Sequence, residues 1–312
     1  MKFKKPKFWD FDKPNTLSKI LFIFTIPIIL SNFLLNLRHK KRFKNIKTIC
    51  IGNIYLGGTG KTPSTIKLFG IFKKLNFRVA VAKKFYKSQL DEQILLKQKT
   101  NLILASTRKK IIEKAIQKNY DYLIFDDGLQ DKGIAYDLNF VCFDNKKWIG
   151  NGHLIPAGPL REKLISLKKY DAVFLKNGRD EYVIKSIEKI NPNIKIFFTY
   201  YEILNLQKFK TTNKYLIFSG IGNPEGFKSL LLNNNLNVVS EIIYPDHFDY
   251  NPKEIHKIKE KAKDLGAEII TTEKDFVKIL EKDQKNINFL EIDLKISDEE
   301  SLKKFIKFKL NY

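Results

Sequence analysis

The sequence predicts an α/β protein with a mostly parallel β-sheet. Short apolar stretches alternate with amphipathic stretches of helical spacing along most of the 312 residues. This alternation favours parallel strands that are covered by helices on both faces. A glycine-rich turn at 57–60 separates the first such strand from the first such helix, which is a common setting for a loop that binds phosphate. These two observations define the expected class of fold.

The composition shows a strong excess of positive charge. Lys and Arg number 57 against 34 Asp and Glu, which gives a formal net charge of +23, and only six of the basic residues are Arg. Such a charge favours anionic surfaces or phosphorylated substrates. Nucleic acid is not an expected partner, because the sequence has no recognisable recognition motif or stacking-aromatic signature. Cys50 and Cys142 lie in apolar runs, and we expect reduced core residues in a cytosolic setting.

The first 45 residues contain a long apolar stretch. Residues 20–30 are almost wholly apolar and 33–37 extend them, although Pro27 and Ser31 interrupt the run. Basic residues flank it on both sides: Lys2, Lys4, Lys5 and Lys7 before it, and Arg38, Lys40, Lys41, Arg42 and Lys44 after it. We predict a helix that lies on an anionic membrane surface. A core helix and a membrane-spanning helix, which needs about 20 apolar residues, are the alternatives.

The remaining elements follow in order from residue 47. The first block has strands at 47–52, 78–82, 101–106, 121–127, 138–144 and 171–177, and helices at 64–75 and 107–119. A second block restarts at 214–231 and continues through strands at 267–272 and 288–294. We therefore predict three parts: a membrane-associated N-terminal helix with its basic flank (1–45), a core α/β domain (46–210) and a smaller C-terminal α/β lobe (211–312).

The stretch GNIYLGGTGKTP (52–63) has the composition of a P-loop. Its glycines let successive backbone N–H groups converge on phosphate oxygens, Lys61 can reach the outer phosphates, and the Thr62 hydroxyl can bind Mg2+. Tyr55 stands where such loops usually carry their first glycine. Because a strand precedes the stretch and a helix follows it, we predict a P-loop NTPase-like core rather than a simple glycine-rich turn. The expected nucleotide-binding residues are Tyr55, Leu56, Gly57, Gly58, Thr59, Gly60, Lys61 and Thr62.

Acidic and polar residues in two further segments complete the expected metal site. Asp126 and Asp127 end an apolar strand, as in nucleotide hydrolases that place a carboxylate near Mg2+, and Gln130 follows closely. A loop rich in Gly and Pro presents Arg161 and Glu162; the Arg can clamp phosphate and the Glu can bind metal. An ordinary turn and a solvated ion pair are the alternatives. The predicted metal-site residues are Thr62, Asp126, Asp127, Gln130 and Glu162.

Of the four histidines in the chain, His247 has carboxylates on both sides of it in the sequence, which favours a catalytic role. It lies in the stretch YPDHFDY, between Asp246 and Asp249. A single His is more often structural than catalytic, but neighbouring carboxylates can orient an imidazole for proton transfer. We therefore take His247 as the candidate for acid–base chemistry.

Together these stretches resemble the tetraacyldisaccharide 4'-kinase family, the lipid A 4'-kinases of Gram-negative bacteria. The resemblance runs from about residue 6 to about residue 278 and rests on six stretches in the family's order: GNIYLGGTGKTP, DDGLQ, LIPAGPLRE, SGIGNPEGF, PDHFDY and TTEKD. It implies ATP-dependent phosphorylation, with Mg2+, of the 4'-hydroxyl of an acylated glucosamine disaccharide 1-phosphate lipid. It also implies two α/β lobes and an N-terminal helix at the cytoplasmic face of the inner membrane.

The resemblance also implies a pair of catalytic residues. In the family an Asp acts with the His of the Asp-His motif to deprotonate the sugar hydroxyl, and the matching positions here are Asp91 and His247. The chain departs from the family pattern at Leu90, where Gly is usual, and at Asp131, where His is common. From the residues alone, a helix N-cap is the alternative role for Asp91.

The expected mechanism is phosphoryl transfer. Lys61, the loop amides, Arg161 and Mg2+ stabilise charge on the γ-phosphate, and His247 with Asp91 accepts the proton of the attacking hydroxyl. A membrane-surface ATPase of the partitioning or targeting type is the alternative, because its loops also read Gly-Gly-x-Gly-Lys-Thr. Those loops carry a Lys just before the two glycines, where this chain has Leu56. The sequence does not predict the oligomeric state.

Overall fold

The computed structural model describes residues 5–36, 40–131 and 133–312. Within them the chain forms two compact units. The core unit comprises 5–85, 100–200 and 294–312, and the smaller unit comprises 86–99 and 201–293.

This division differs from the predicted boundaries, 46–210 and 211–312, at two places. Segment 86–99 groups with the second block and segment 294–312 groups with the core. Each segment contacts residues that lie far from it in the sequence. A salt bridge of 2.7 Å from Lys99 to Glu273 ties the first segment to the second block, and the Phe305 ring packs on Phe140 in the core. Such contacts join residues that are far apart in the chain. The predicted boundaries follow the order of elements along the chain and therefore do not take these contacts into account.

Twelve strands and ten α-helices make up the regular structure of the described residues. The strands are β1 (Lys47–Gly52), β2 (Val79–Lys84), β3 (Leu102–Ala105), β4 (Tyr122–Asp126), β5 (Leu138–Asp144), β6 (Ala172–Lys176), β7 (Lys195–Ile203), β8 (Lys214–Ser219), β9 (Asn237–Ile243), β10 (Glu268–Thr272), β11 (Ile287–Leu290) and β12 (Ile292–Ile296). The helices are α1 (Thr16–Leu21), α2 (Ile26–Asn36), α3 (Lys61–Lys74), α4 (Leu90–Lys99), α5 (Arg108–Gln117), α6 (Glu181–Ile190), α7 (Pro224–Leu232), α8 (Pro252–Asp264), α9 (Glu273–Phe276) and α10 (Glu299–Leu310).

An eight-stranded sheet in the order β12-β7-β6-β5-β1-β4-β2-β3 organises the core unit. β1 pairs in parallel with β4 and β5 and is buried along most of its length, as its continuous apolar run predicts for a strand covered on both faces. In the β1–β4 register Ile51 lies opposite Asp126. The glycine-rich loop after β1 and the acidic end of β4 therefore meet at the same edge of the sheet. The predicted parallel α/β core is confirmed.

A four-stranded sheet in the order β11-β10-β8-β9 organises the smaller unit. All three of its strand pairs are parallel. Leu216 and Phe218 of β8 pack with Ile258 of α8 in its core. His247 lies in the loop between β9 and α8, and α4 belongs to the same unit and packs against α9.

The N-terminal segment Thr16–Leu35 is long and apolar enough to cross a membrane, by length and composition. It has a mean hydropathy of 1.9, and only 11% of its most apolar window is buried, which does not agree with the core-helix alternative. Two hydrogen bonds connect it to the rest of the core unit: the Ser18 hydroxyl donates to the Ala157 carbonyl at 2.6 Å, and the Asn32 side-chain amide donates to the Arg161 carbonyl at 3.2 Å. Of the predicted basic flanks, Lys2, Lys4 and Arg38 lie outside the described residues.

Candidate active site

The loop after β1 has the backbone of a phosphate-binding turn. Gly60 immediately precedes α3 with φ 89° and ψ 20°, a left-handed conformation that a residue with a Cβ adopts only with strain. The Asn53 amide braces the loop by donating to the Thr59 hydroxyl at 2.9 Å and to the Gly57 carbonyl at 3.3 Å. The loop leads directly into the N-terminus of a 14-residue helix, where the helix dipole favours an anion.

Tyr55 and Leu56 fasten the start of the loop to a neighbouring segment. The Leu56 amide donates to the Pro159 carbonyl at 2.8 Å, so this N–H group is already engaged. Tyr55 is buried against Leu154 and Leu160. Both are predicted nucleotide-binding residues, and the structure gives each of them a contact that holds the loop in place.

Asp126 is buried at the end of β4, where three side chains reach it. Its Oδ2 lies 3.1 Å from the Thr62 hydroxyl and 2.7 Å from Lys83 Nζ, and its Oδ1 lies 3.3 Å from the Thr65 hydroxyl. The sequence reasoning missed Lys83. Lys83 follows four buried apolar residues of β2 and is itself buried, and this position was the signal, since a buried ammonium normally requires an anionic partner.

Asp127 joins the predicted lysine and arginine. It has φ 64°, its Oδ2 lies 3.7 Å from Lys61 Nζ, and Arg161 donates to the same oxygen at 3.2 Å. Burial would raise the pKa of the Asp127 carboxyl, but the charges of Lys61 and Arg161 outweigh it and lower the pKa to about 2. Arg108, which sequence reasoning also missed, donates to the Asp127 carbonyl at 2.5 Å and pairs with Asp131 at 2.8 Å.

Gln130 and Glu162 lie next to this group. Gln130 accepts from Arg161 at 3.3 Å and donates to Glu162 Oε1 at 3.3 Å. Glu162 is buried and also accepts from the Tyr170 hydroxyl at 3.4 Å. A chain of polar contacts thus runs from Asp127 through Arg161 and Gln130 to Glu162.

The oxygen-rich end of β4 fits a Mg2+ ion that shares its ligands with a nucleotide. Within the described residues, no three His, Cys, Asp or Glu side chains are grouped to hold a metal ion. Mg2+ usually keeps several waters and binds one or two protein groups together with substrate phosphates, so it does not need such a group. The Thr62 hydroxyl and the Asp126 carboxylate supply hard oxygen donors at 3.1 Å from one another.

Asp91 and His247 form a hydrogen-bonded pair within the smaller unit. His247 Nδ1 lies 2.8 Å from Oδ1 and 2.9 Å from Oδ2 of Asp91, which is only 2% exposed. Burial would raise the pKa of Asp91, but the hydrogen bond from His247 and the charges of Lys274 and Lys278 outweigh it and place the pKa below its ordinary value. The carboxylate can therefore accept a proton carried on Nδ1, and in the neutral imidazole this arrangement leaves the lone pair on Nε2.

Asp91 lies in the first turn of α4, where its Oδ1 also accepts from the Glu92 amide at 2.8 Å. Asp91 is thus the second residue of α4 and not its N-cap, whose side chain would accept from an amide two or three residues further on. The His247 backbone is held in the left-handed region, with φ 59°, and its amide donates to the Gly220 carbonyl at 3.1 Å. Such a conformation costs free energy and is often found at functional sites.

The parallel sheet, the glycine-rich loop and the acidic strand end define a P-loop NTPase-like protein. The family model described as tetraacyldisaccharide-1-P 4'-kinase matches residues 16–311, and the chain belongs to this family. The tetraacyldisaccharide 4'-kinase of Pelagibacter ubique (strain HTCC1062) is 46% identical over 309 residues, which cover 97% of this chain and 96% of that protein. The enzyme of the same name from Rickettsia bellii (strain OSU 85-389) is 32% identical over 297 residues, covering 89% and 90%.

A solved structure supports the fold. The crystal structure of LpxK from Aquifex aeolicus in complex with ATP aligns with a TM-score of 0.69 at 23% identity, covering 94% of this chain and 99% of that one. The resemblance stated from the sequence motifs is confirmed, as is the P-loop NTPase-like fold class. The family and the names of its members agree with a lipid A kinase and do not favour the surface-ATPase alternative.

Proposed function

We propose that this chain transfers the γ-phosphate of ATP to the 4'-hydroxyl of a tetraacylated glucosamine disaccharide 1-phosphate. The family match over residues 16–311 supports this reaction. The observation that carries it is the hydrogen bond between buried Asp91 and His247 Nδ1 at 2.8 Å. A sugar hydroxyl is a poor nucleophile until a base takes its proton, and this pair leaves Nε2 of the imidazole able to do so.

The phosphate side of the reaction rests on the core unit. Lys61 would exchange its ion pair with Asp127 for the outer phosphates, and Arg161 would stabilise charge that develops during transfer. Thr62 and Asp126 would hold Mg2+, with Asp127, Gln130 and Glu162 as further candidates. When bound, Mg2+ supplies neutralisation of the phosphate charge.

The acceptor side rests on the smaller unit. His247 Nε2 takes the proton of the attacking hydroxyl, and the ionised Asp91 stabilises the imidazolium that forms. Asp91 also fixes the ring tautomer, because a carboxylate can only accept the Nδ1 proton.

The substrate class also accounts for the exposed N-terminal segment. A multi-acylated lipid resides in a membrane, and Thr16–Leu35 presents large apolar side chains such as Ile23 and Phe33 on its surface. We infer peripheral association with the cytoplasmic face of the bacterial inner membrane, aided by the chain's net charge of +23 and anionic lipid.

The test is transfer of labelled γ-phosphate from ATP to a tetraacylated disaccharide 1-phosphate in detergent micelles. Wild type is compared with Lys61→Ala, His247→Ala and Asp91→Ala, and with His256→Ala as control, because His256 is an exposed residue of α8. We expect transfer by wild type and the control and its collapse in the other three. ATP hydrolysis by wild type without phosphorylation of the acceptor would instead support the surface ATPase.

A further inference from the structure

TTEKD, at 271–275, runs from the end of β10 into the short helix α9. Thr272 caps this helix, since its hydroxyl oxygen accepts from the Asp275 amide at 3.1 Å. Glu273 pairs with Lys99 at 2.7 Å, which ties α9 to the end of α4.

Lys274 is the residue of this stretch that reaches the catalytic pair. Its Nζ lies 3.1 Å from Glu92 Oε1, 3.1 Å from Asp246 Oδ1 and 3.7 Å from Asp91 Oδ2. The side chain is only 18% exposed. Burial opposes its charge, but these three carboxylates outweigh burial and raise the pKa of the ammonium. Lys274 is therefore a cation enclosed by three anions.

The three anions come from the two segments that carry the catalytic pair. Asp91 and Glu92 lie on α4, and Asp246 directly precedes His247 in the loop after β9. One ammonium on a third segment, α9, thus connects both. The charged groups around the imidazole also include carboxylates near its second nitrogen: His247 Nε2 lies 3.9 Å from Glu92 and 3.8 Å from Asp246.

We propose that Lys274 is a positioning residue for the Asp91–His247 pair. It holds α4 and the His247 loop together through shared carboxylates, and it offsets the negative charge that surrounds the ring. The second nearby cation, Lys278, lies at the same distance of 3.7 Å from Asp91 and pairs with Asp275 at 2.7 Å. Lys274 differs from it in also pairing with Glu92 and Asp246. The inference rests on the proposed function, in which His247 must be uncharged before it accepts a proton.

Replacing Lys274 tests this role through the pH dependence of transfer. Lys274→Met leaves three carboxylates near the ring without their shared cation, which favours the protonated imidazole. We expect the acid limb of the kcat/KM profile to move to higher pH by about one unit. Transfer at pH values below the acid limb should fall by up to about tenfold and recover as the pH is raised. Lys274→Arg keeps the charge and should restore the wild-type profile.

Lys99→Met is the matched control. It removes the other ion pair between α4 and α9 and leaves the three contacts of Lys274 unchanged. We expect a wild-type pH profile for this variant. An equal shift in Lys99→Met, or an unshifted profile in Lys274→Met, would overturn the proposal and leave Lys274 as a structural tether.

A second readout does not depend on activity. In protein with labelled histidine, the signals of His247 are identified by their loss in His247→Gln and followed by NMR as the pH is raised. In Lys274→Met they should titrate at higher pH than in wild type, and unchanged titration would contradict the proposal. If wild type transfers no phosphate, the proposed function fails, while the NMR titration still decides the role of Lys274.

Discussion

Asp91→Asn is the substitution that examines the catalytic pair most closely. Asn has nearly the same shape as Asp, but its amide can donate to His247 Nδ1, to which Asp91 lies at 2.8 and 2.9 Å. The ring would then carry its proton on Nε2 and could no longer accept one there. The substitution therefore changes the tautomer while it leaves the packing nearly intact.

The size of the effect follows from the loss of a general base. Both distances lie in the normal range for a hydrogen bond, and Asp91 is 2% exposed, so little water is at hand to restore the tautomer. A positioned base contributes about 10²–10⁴-fold to rate, which corresponds to about 3–5 kcal/mol of activation free energy. We expect kcat for phosphoryl transfer to fall within this range.

The assay is steady-state transfer to the micellar acceptor at saturating ATP. The KM for ATP should change little, because Lys61 and the loop around Gly60 are unaltered. Asp249→Asn is the control, since Asp249 is an exposed carboxylate two residues beyond His247. A loss in Asp91→Asn smaller than about threefold would show that the hydrogen bond is structural and that another group takes the proton.

The effect of Asp91→Asn on the free energy of unfolding should also depend on pH. The pKa of Asp91 is lowered from 3.8, so the folded state binds this proton less readily than the unfolded state. The carboxylate therefore contributes stability that is present above pH 3.8 and is lost as the pH falls below it. Urea unfolding should show the largest difference between wild type and Asp91→Asn near neutral pH and a smaller one in acid. A difference that is constant with pH would contradict the charge of Asp91 in the folded state.

Three further predictions concern other parts of the chain. Gly128→Ala should lower the unfolding free energy by about 1–3 kcal/mol in thermal or urea unfolding. The added methyl would lie 2.6 Å from the Tyr136 hydroxyl oxygen and 3.0 Å from the Cys50 sulfur; unchanged stability would show that these contacts relax freely. Cys50 and Cys142 should react with a thiol reagent only after unfolding. Both are buried, and burial raises the pKa of the Cys142 thiol to about 12. Rapid reaction of the native protein would contradict this prediction. The double variant Ile23→Ser, Phe33→Ser should float less with anionic vesicles than wild type. Its melting temperature should be unchanged, because these side chains are 64% and 60% exposed. Undiminished flotation would mean that charge alone binds the protein to the membrane.

The sequence could predict the features that depend on neighbours in the chain. The glycine-rich loop, its Lys61 and the acidic end of β4 were predictable because a strand, a turn and a helix follow one another directly. Their meeting at one sheet edge follows from the parallel pairing of β1 with β4. For Asp91 and His247, the resemblance supplied a pairing across 156 positions that no local pattern contains.

Other features depend on contacts that only the folded chain defines. Lys83 and Arg108 find their carboxylate partners 43 and 23 positions away. The position of Lys83 after a buried apolar run indicates a buried cation but does not identify its partner, and among 57 basic residues nothing marks Arg108. Lys274 was within a recognised stretch, but its three partners come from two other segments. The sequence also could not predict that 86–99 belongs to the smaller unit. In the chain, α4 lies between two strands of the core sheet, and only contacts in the folded protein assign it to the other unit.

The most direct test of the proposed reaction is the structure of its product. Wild-type protein is incubated with ATP, Mg2+ and the tetraacylated disaccharide 1-phosphate, and the purified lipid is examined by phosphorus–proton correlation NMR. We predict a second phosphomonoester whose phosphorus couples to the proton at the 4' carbon. Consumption of ATP with no new sugar phosphate, or a phosphate on a different hydroxyl, would contradict the proposed function.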